Sequence, residues 1–215
     1  MNRFILWFVK ITGLPAQYFY YKKKIYYENN NKKLRKIDGG ALIVSNHTSI
    51  YDFPLMMYVF LKRNIRTLVA EVIYQKNKFM SRFMTYLGAI RVDRNSYDFA
   101  FMSQMVNCLQ KGQVGLVFPE ARIPLENEKD TLLPFKPSFV YLALESDVPI
   151  IPVYTNGVYG KLKKKNKSRA KVIIGEKIYP TELIDKNKTQ KENIEFICNY
   201  VRDYIIRLGK ELDSK

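Results

Sequence analysis

The sequence predicts a single α/β domain, a mostly parallel central sheet flanked by helices, preceded by an amphipathic helix that lies at a membrane interface. Three observations carry this. Short apolar, β-branched runs alternate with segments of helical periodicity from about residue 40 to residue 178, the pattern of strands connected by crossover helices. The 215 residues are enough to bury a core without disulfides or metals, and no composition shift marks a second domain. The first 37 residues combine aromatics and lysines in a way the remainder does not. Residues 1–37 are therefore assigned to the membrane interface and 38–215 to the globular domain.

Taken in order, "RFILWFVKI" (3–11) is an apolar run with Trp7 and two phenylalanines, closed by Gly13 and Pro15. A helix needs about 20 apolar residues to span a bilayer, so this one is too short. Lysines and tyrosines follow it, where a signal peptide would carry a small-residue cleavage site. The next stretch, "YFYYKKKIYYENNNKK", sets six tyrosines and phenylalanines around Lys22, Lys23 and Lys24. Aromatics at headgroup depth beside lysines drawn to anionic lipid describe a chain on a membrane face. Alternatively, Phe4, Trp7, Phe8 and Ile11, at helical spacing, cover part of the core. The aromatic and cationic mixture favours the interface, because core helices do not need it.

Strands follow at "GALIVS" (40–45), "RTLVA" (66–70), "GAIRVDR" (88–94), "VGLVFPE" (114–120) and "VPIIPVY" (148–154). Their apolar continuity marks strands covered on both faces. Helices are expected at 54–63, 76–86, 96–111 and 136–146. A further strand, "AKVIIGEKI" (170–178), precedes a C-terminal helix in which Ile194, Ile197, Val201, Tyr204, Ile205 and Leu208 form one stripe. Between the last two strands, "KLKKKNKSR" (161–169) is a basic loop, either a solvated turn or a second lipid-facing patch.

The formal charge of +16 calls for an anionic partner, and nucleic acid and anionic lipid are the two candidates. No zinc-finger, RRM or helix-turn-helix signature is present, which argues against nucleic acid. Cys108 and Cys198 stand far apart in helical segments without metal-ligand spacing. They are expected as small hydrophobes in a reducing compartment, with neither a metal nor a disulfide.

The first confident strand ends in "VSNHTSIYDFP" (44–54), which holds the only histidine of the chain. Loops at the C-terminal ends of strands are where open α/β sheets build their sites. A histidine is the side chain best suited to accept a proton near neutral pH, the more so when a carboxylate holds its other nitrogen. Residues five apart on one helix point about 140° from each other. His47 therefore meets Asp52 only if it sits in the loop and Asp52 in the first turn of the next helix, the register Pro54 favours. In isolation the pair would be read as a helix cap and a polar loop residue. It is not isolated: Arg94, Glu120 and Arg122 close later strands and reach the same sheet edge, and arginines there suit bidentate capture of phosphate.

The ordered set "NHTSIYD" (46–52), "GAIRVDR" (88–94), "FPEAR" (118–122) and "VPIIPV" (148–153) resembles the four blocks of the glycerolipid acyltransferase family, the lysophosphatidic acid acyltransferases, over roughly residues 38–180. The resemblance implies an acyltransferase domain in which His47 is the general base, Asp52 orients it, and Arg94 and Glu120 bind a glycerol phosphate acceptor. Asn46 and Ser49 of the first block and Arg122 of the third are assigned to substrate contact. The donor is an acyl thioester, on CoA or acyl-carrier protein, and no metal or other cofactor is called for. The acceptor is a lysophospholipid, most simply 1-acyl-glycerol-3-phosphate. No acyl-enzyme is required, so Ser49 is not a nucleophile, and backbone N–H groups near Asn46–Ser49 are candidates for oxyanion stabilisation. The enzyme is expected as a peripheral protein on the cytoplasmic face of the cell membrane, bound to its anionic surface. Alternatives are another lysophospholipid or polar acceptor, or a non-catalytic peripheral or nucleic-acid-binding protein. The third block departs from the usual F-P-E-G-T-R-S: Ala121 replaces the glycine, and Arg122 comes one residue early. Alanine disfavours positive φ, so a remodelled turn is expected there.

Overall fold

The computed structural model describes residues 2–75, 77–92, 100–129, 131–159 and 168–215, without the side chains of residues 16, 72 and 73. Seven strands form one sheet: β1 (Lys24–Tyr27), β2 (Ala41–Ser45), β3 (Ile65–Ala70), β4 (Ala89–Val92), β5 (Val114–Val117), β6 (Ile150–Asn156) and β7 (Lys171–Ile174). Their spatial order is β1-β7-β6-β2-β5-β3-β4. Every pairing is parallel except that of β6 with β7. The helices are α1 (Arg3–Thr12), α2 (Leu14–Ala16), α3 (Asp52–Val59), α4 (Glu71–Gln75), α5 (Lys78–Leu87), α6 (Ala100–Gln110), α7 (Ser138–Ser146) and α8 (Gln190–Asp213). A π-helical turn, Gln17–Tyr21, continues α2. The single α/β domain with helices flanking a mostly parallel sheet is the fold the sequence predicts.

Period-2 alternation in β2 shows how the layers are assembled. Ala41 and Ile43 pack on one face with Leu55, Met56 and Val59 of α3. Leu42 and Val44 pack on the other with α6, α7 and the stripe of α8. All four β2 side chains are fully buried, which is why this strand reads as a continuous apolar run.

The parallel register of β2 and β5 sets Val44 opposite Val117. His47 and Glu120 each lie three residues beyond that pair, so two strand ends 73 residues apart in sequence deliver their polar groups side by side. The far end of α3 is held as firmly. Arg35 Nε donates to Val59 O at 2.5 Å, and in the turn beyond the helix Lys10 Nζ donates to Leu61 O and Arg63 O at 2.9 and 2.8 Å. A cation such as Arg35 on the last carbonyl of a helix satisfies an orphan acceptor and complements the dipole.

The N-terminal segment divides. α1 buries Leu6 against Met57, Tyr58 and Leu87 but leaves Phe4 at 70%, Trp7 at 57% and Phe8 at 52% exposure, so these aromatics do not cover the core. Residues 24–27, placed on the membrane face from sequence, instead form β1 and extend the sheet edge. Ile25 and Tyr27 pack on the core. Glu28, just after them, accepts bonds from Tyr204 Oη at 2.5 Å, Arg207 at 2.7 Å and Glu176 N at 2.8 Å. Among the described residues no helix is long and apolar enough to cross a membrane.

Candidate active site

Asp52 opens α3, and the loop before it wraps around its carboxylate. Asp52 is completely buried. Its Oδ2 accepts from His47 Nδ1 at 2.9 Å, Thr48 N at 2.6 Å and Ser49 N at 2.8 Å, and its Oδ1 accepts from Thr48 Oγ1 at 3.1 Å. Such a wrap also complements the α3 dipole. Because the carboxylate only accepts, Nδ1 of His47 carries the proton and Nε2 is left as the basic nitrogen. Phe118 stacks on the imidazole, ring centres 4.4 Å apart and planes 16° from parallel, which fixes the ring plane.

Glu120 reaches the same loop from β5. Its Oε1 accepts the backbone N–H of His47 at 2.6 Å and its Oε2 that of Leu133 at 2.9 Å. Burial pushes its pKa above the usual carboxylate value, and the two N–H bonds and nearby His47 pull the other way. Asn46 is tied to the backbone of β6: Oδ1 accepts Thr155 N at 2.8 Å and Nδ2 donates to Thr155 O at 2.9 Å. Ser49 is buried and its Oγ accepts Tyr51 N at 3.3 Å. Arg122 lies at the surface in a bidentate pair with Glu128, at 2.6 and 2.7 Å; the guanidinium pulls the Glu128 carboxyl down to about 2.

The structure thus brings His47, Asp52 and Glu120 together with Asn46 and Ser49 behind them, and sets Arg122 further out. Arg94 and most of the basic loop 161–169 lie outside the described residues. The N–H groups of His47, Thr48 and Ser49 all point at carboxylates. One expectation changes. Ala121 adopts φ +59°, with its N–H donating to Phe118 O at 3.0 Å; the turn keeps a left-handed residue despite the side chain. Among the described residues no cluster of three or more histidine, cysteine or acidic groups could hold a metal ion.

His47 borders two cavities. One, of about 750 Å³, is an apolar groove between α1 and the π-helical turn on one side and α3, α5 and β3 on the other. Val9, Phe53, Met57, Phe83 and Leu87 line it, together with His47, Phe118, Ala121 and Arg122. The other, of about 260 Å³, is polar; Thr48, Glu120, Lys129, Lys210 and Asp213 line it. Sequence reasoning did not find the groove, because its walls come from five separate elements. A base with one apolar and one polar chamber suits chemistry on an amphiphile.

Residues 24–156 match the sequence model of the acyltransferase family. The chain belongs to the acyltransferase family. Among relatives of this acyltransferase, the 1-acyl-sn-glycerol-3-phosphate acyltransferase of Bacillus subtilis is 22% identical over 177 residues, 82% of this chain and 85% of that protein. The coconut (Cocos nucifera) enzyme of the same name is 25% identical over 180 residues, 81% of this chain and 57% of its own. A second plant enzyme of that name, from Limnanthes douglasii, is 30% identical over 122 residues, 55% of this chain and 42% of that one. The chain spans about half the length of these plant relatives. The crystal structure of the 1-acyl-sn-glycerophosphate acyltransferase of Thermotoga maritima superposes with a TM-score of 0.70 over 99% of this chain and 82% of that one, at 18% identity, and shares the fold.

Proposed function

We propose that this acyltransferase moves a fatty acyl group from an acyl thioester, on CoA or acyl-carrier protein, to the free hydroxyl of 1-acyl-glycerol-3-phosphate. The observation that carries the proposal is the His47–Asp52 pair at the junction of an apolar groove and a polar chamber, joined to relatives whose names state that reaction. The acceptor hydroxyl donates to His47 Nε2. As the imidazole takes the proton, the oxygen attacks the thioester carbonyl, and buried Asp52 stabilises the imidazolium that forms. The tetrahedral intermediate then collapses, the C–S bond breaks, and His47 returns its proton to the departing thiolate. General-base assistance of this kind is worth about 10²–10⁴ in rate.

Glu120 positions the loop through the His47 backbone N–H. Arg94 and Arg122 supply positive charge for the acceptor phosphate; Arg122 does so by exchanging Glu128 for phosphate. Lipid enters from a bilayer against which Phe4, Trp7, Phe8 and Ile11 of α1 and Tyr18 and Phe19 of the following turn are laid, all of them exposed and on the two elements that also supply Val9, Gln17 and Tyr21 to the groove. The protein then sits peripherally on the cytoplasmic, anionic membrane face.

The test is acyl transfer from acyl-CoA and from acyl-carrier protein to lysophosphatidic acid by wild type and His47→Ala, with thermal melts to verify folding. A loss of at least about 10² in kcat is expected. Equal rates would refute the role of His47, and an inactive wild type would refute the reaction.

A further inference from the structure

The apolar groove contains a polar atom that the chain does not satisfy. Gln17, the first residue of the π-helical turn, is only 3% exposed and lines the groove. Its Oε1 is buried with no hydrogen-bond partner. Two other polar groups on these walls are occupied within the chain: Thr12 Oγ1 donates to Phe8 O at 2.9 Å, and Tyr58 Oη donates to Val9 O at 2.9 Å. Turning the Gln17 amide over would replace a buried acceptor by a buried donor and leave the same deficit. An amide oxygen left unpaired in an apolar wall destabilises the empty protein, and single π-turns inside helices recur at functional sites.

One turn further along, Tyr21 lines the same groove at 5% exposure. Burial pushes its phenol pKa upward, and neighbouring Tyr51 and Asp52 add to the shift; the O–H therefore stays protonated and donates. Gln17 and Tyr21 thus bring an acceptor and a donor to a largely apolar groove. The close approach of α1 to α3 keeps this wall in place: a Cβ on Gly13 would lie 2.0 Å from Tyr58 Oη.

We propose that Gln17 and Tyr21 form a polar subsite inside the lipid groove, which binds a hydrogen-bonding group carried within an otherwise apolar ligand. Its N–H or O–H meets Gln17 Oε1, and its own or an adjacent oxygen meets the Tyr21 O–H. On the acyl-transfer reading, on which the naming of the ligand rests, two sources carry that chemistry. One is the secondary amides of the pantetheine arm shared by acyl-CoA and acyl-carrier protein. The other is an additional hydroxyl on the headgroup of a lysophospholipid. 1-Acyl-glycerol-3-phosphate does not fill the subsite, because its one free hydroxyl goes to His47.

Gln17→Leu removes the orphan atom at nearly constant volume. We measure KM for palmitoyl-CoA with lysophosphatidic acid as acceptor, then KM for lysophosphatidylglycerol, whose headgroup carries further hydroxyls. The expected result is a rise of about three- to tenfold in one of the two, with kcat for lysophosphatidic acid and the thermal midpoint unchanged or higher. A rise confined to palmitoyl-CoA identifies the pantetheine amide, and one confined to lysophosphatidylglycerol identifies the acceptor hydroxyl. If neither KM moves, or the thermal midpoint drops, Gln17 is a structural or water-bound residue and the subsite is refuted. Tyr21→Phe, which deletes a single oxygen, tests the same subsite by the same two KM values should Gln17→Leu fail to fold. Titration of the His47→Ala protein with palmitoyl-CoA and with lysophosphatidylglycerol reads the subsite without turnover: a Kd raised for either by Gln17→Leu supports it even if the wild type transfers no acyl group.

Discussion

Asp52→Asn separates two ways in which a buried carboxylate serves a histidine. Three donors converge on Oδ2, the N–H groups of Thr48 and Ser49 and Nδ1–H of His47. In the variant the amide oxygen must take that position, because turning the NH₂ inward would set it against two backbone donors. Thr48 Oγ1, at 3.1 Å from Oδ1, rotates to accept from the new NH₂. The imidazole therefore keeps its tautomer, and the loss is electrostatic only. In Ser-His-Asp sites the same exchange costs about 10⁴ because it inverts the tautomer. Here the neutral amide removes only the charge that stabilises the imidazolium, so kcat is expected to fall by about 10² with KM little changed. For stability, four charge-assisted bonds become neutral ones, each weaker by about 1 kcal/mol. That loss of about 4 kcal/mol is opposed by relief of the several kcal/mol of desolvation that a buried carboxylate carries. The net is within about 2 kcal/mol, or a midpoint shift below about 8 °C for a chain of this size. Steady-state kinetics and a thermal melt on the same preparation check both. A folded variant within about threefold of wild-type kcat would refute the role of Asp52, and a loss near 10⁴ would refute the tautomer argument.

Ala121→Gly relieves a left-handed alanine, worth about 1–2 kcal/mol, against an entropic cost for glycine of about 0.5–1 kcal/mol; the midpoint should rise by about 2 °C, and a fall would show that the Ala121 methyl is needed where it lines the groove. The Glu120 carboxyl has a folded pKa raised above 4.5, so its contribution to stability is complete below the unfolded value and is lost as pH rises through the folded one. Wild type should therefore lose stability relative to Glu120→Gln as pH rises above 4.5 in denaturant titrations, and a difference that is flat or grows with pH would overturn the burial argument. Trp7→Ser with Phe8→Ser removes apolar surface worth about 1–2 kcal/mol at each position when inserted, so binding to anionic vesicles should weaken at least about tenfold; undiminished binding would count against α1 as the membrane contact.

Much of the fold was legible because its central strands are covered on both faces and so cannot alternate. β2, β5 and β6 appear as apolar runs for that reason, and the stripe from Ile194 to Leu208 marks the face that α8 buries. β1 was not legible. Its four residues, "KIYY", alternate lysine and tyrosine with apolar positions, the same composition as an interfacial segment. What makes it a strand is pairing with β7, about 150 residues away, and the Glu28 network with α8, neither of which leaves a local trace. The His47–Asp52 pair could be read from spacing because the offset of five demands a loop-to-helix break and Pro54 permits one. The grip of Glu120 on the His47 backbone could not, since it depends on the register of β2 against β5. Ala121 shows the limit of local propensity. The left-handed cost is about 1–2 kcal/mol, and the turn is held by the Ala121 N–H to Phe118 O and by both oxygens of neighbouring Glu120, which together outweigh it.

On the proposed mechanism these bonds also dictate how the loop around His47 divides its work. The N–H groups of His47, Thr48 and Ser49 are directed at Glu120 or Asp52, and the Asn46 side chain is committed to β6. The histidine is therefore held at Nδ1 by one carboxylate, at its own backbone N–H by a second, and across its ring plane by Phe118. With tautomer, backbone and ring plane all fixed, little reorganisation is left for the moment of proton transfer, the condition under which a positioned base gains most. On the proposed mechanism the N–H groups of His47, Thr48 and Ser49 are already engaged by carboxylates, so charge on the developing oxyanion calls on other groups. The polar chamber is where those groups are to be sought. Its lysines and acids balance in formal charge, Lys129 and Lys210 against Glu120 and Asp213.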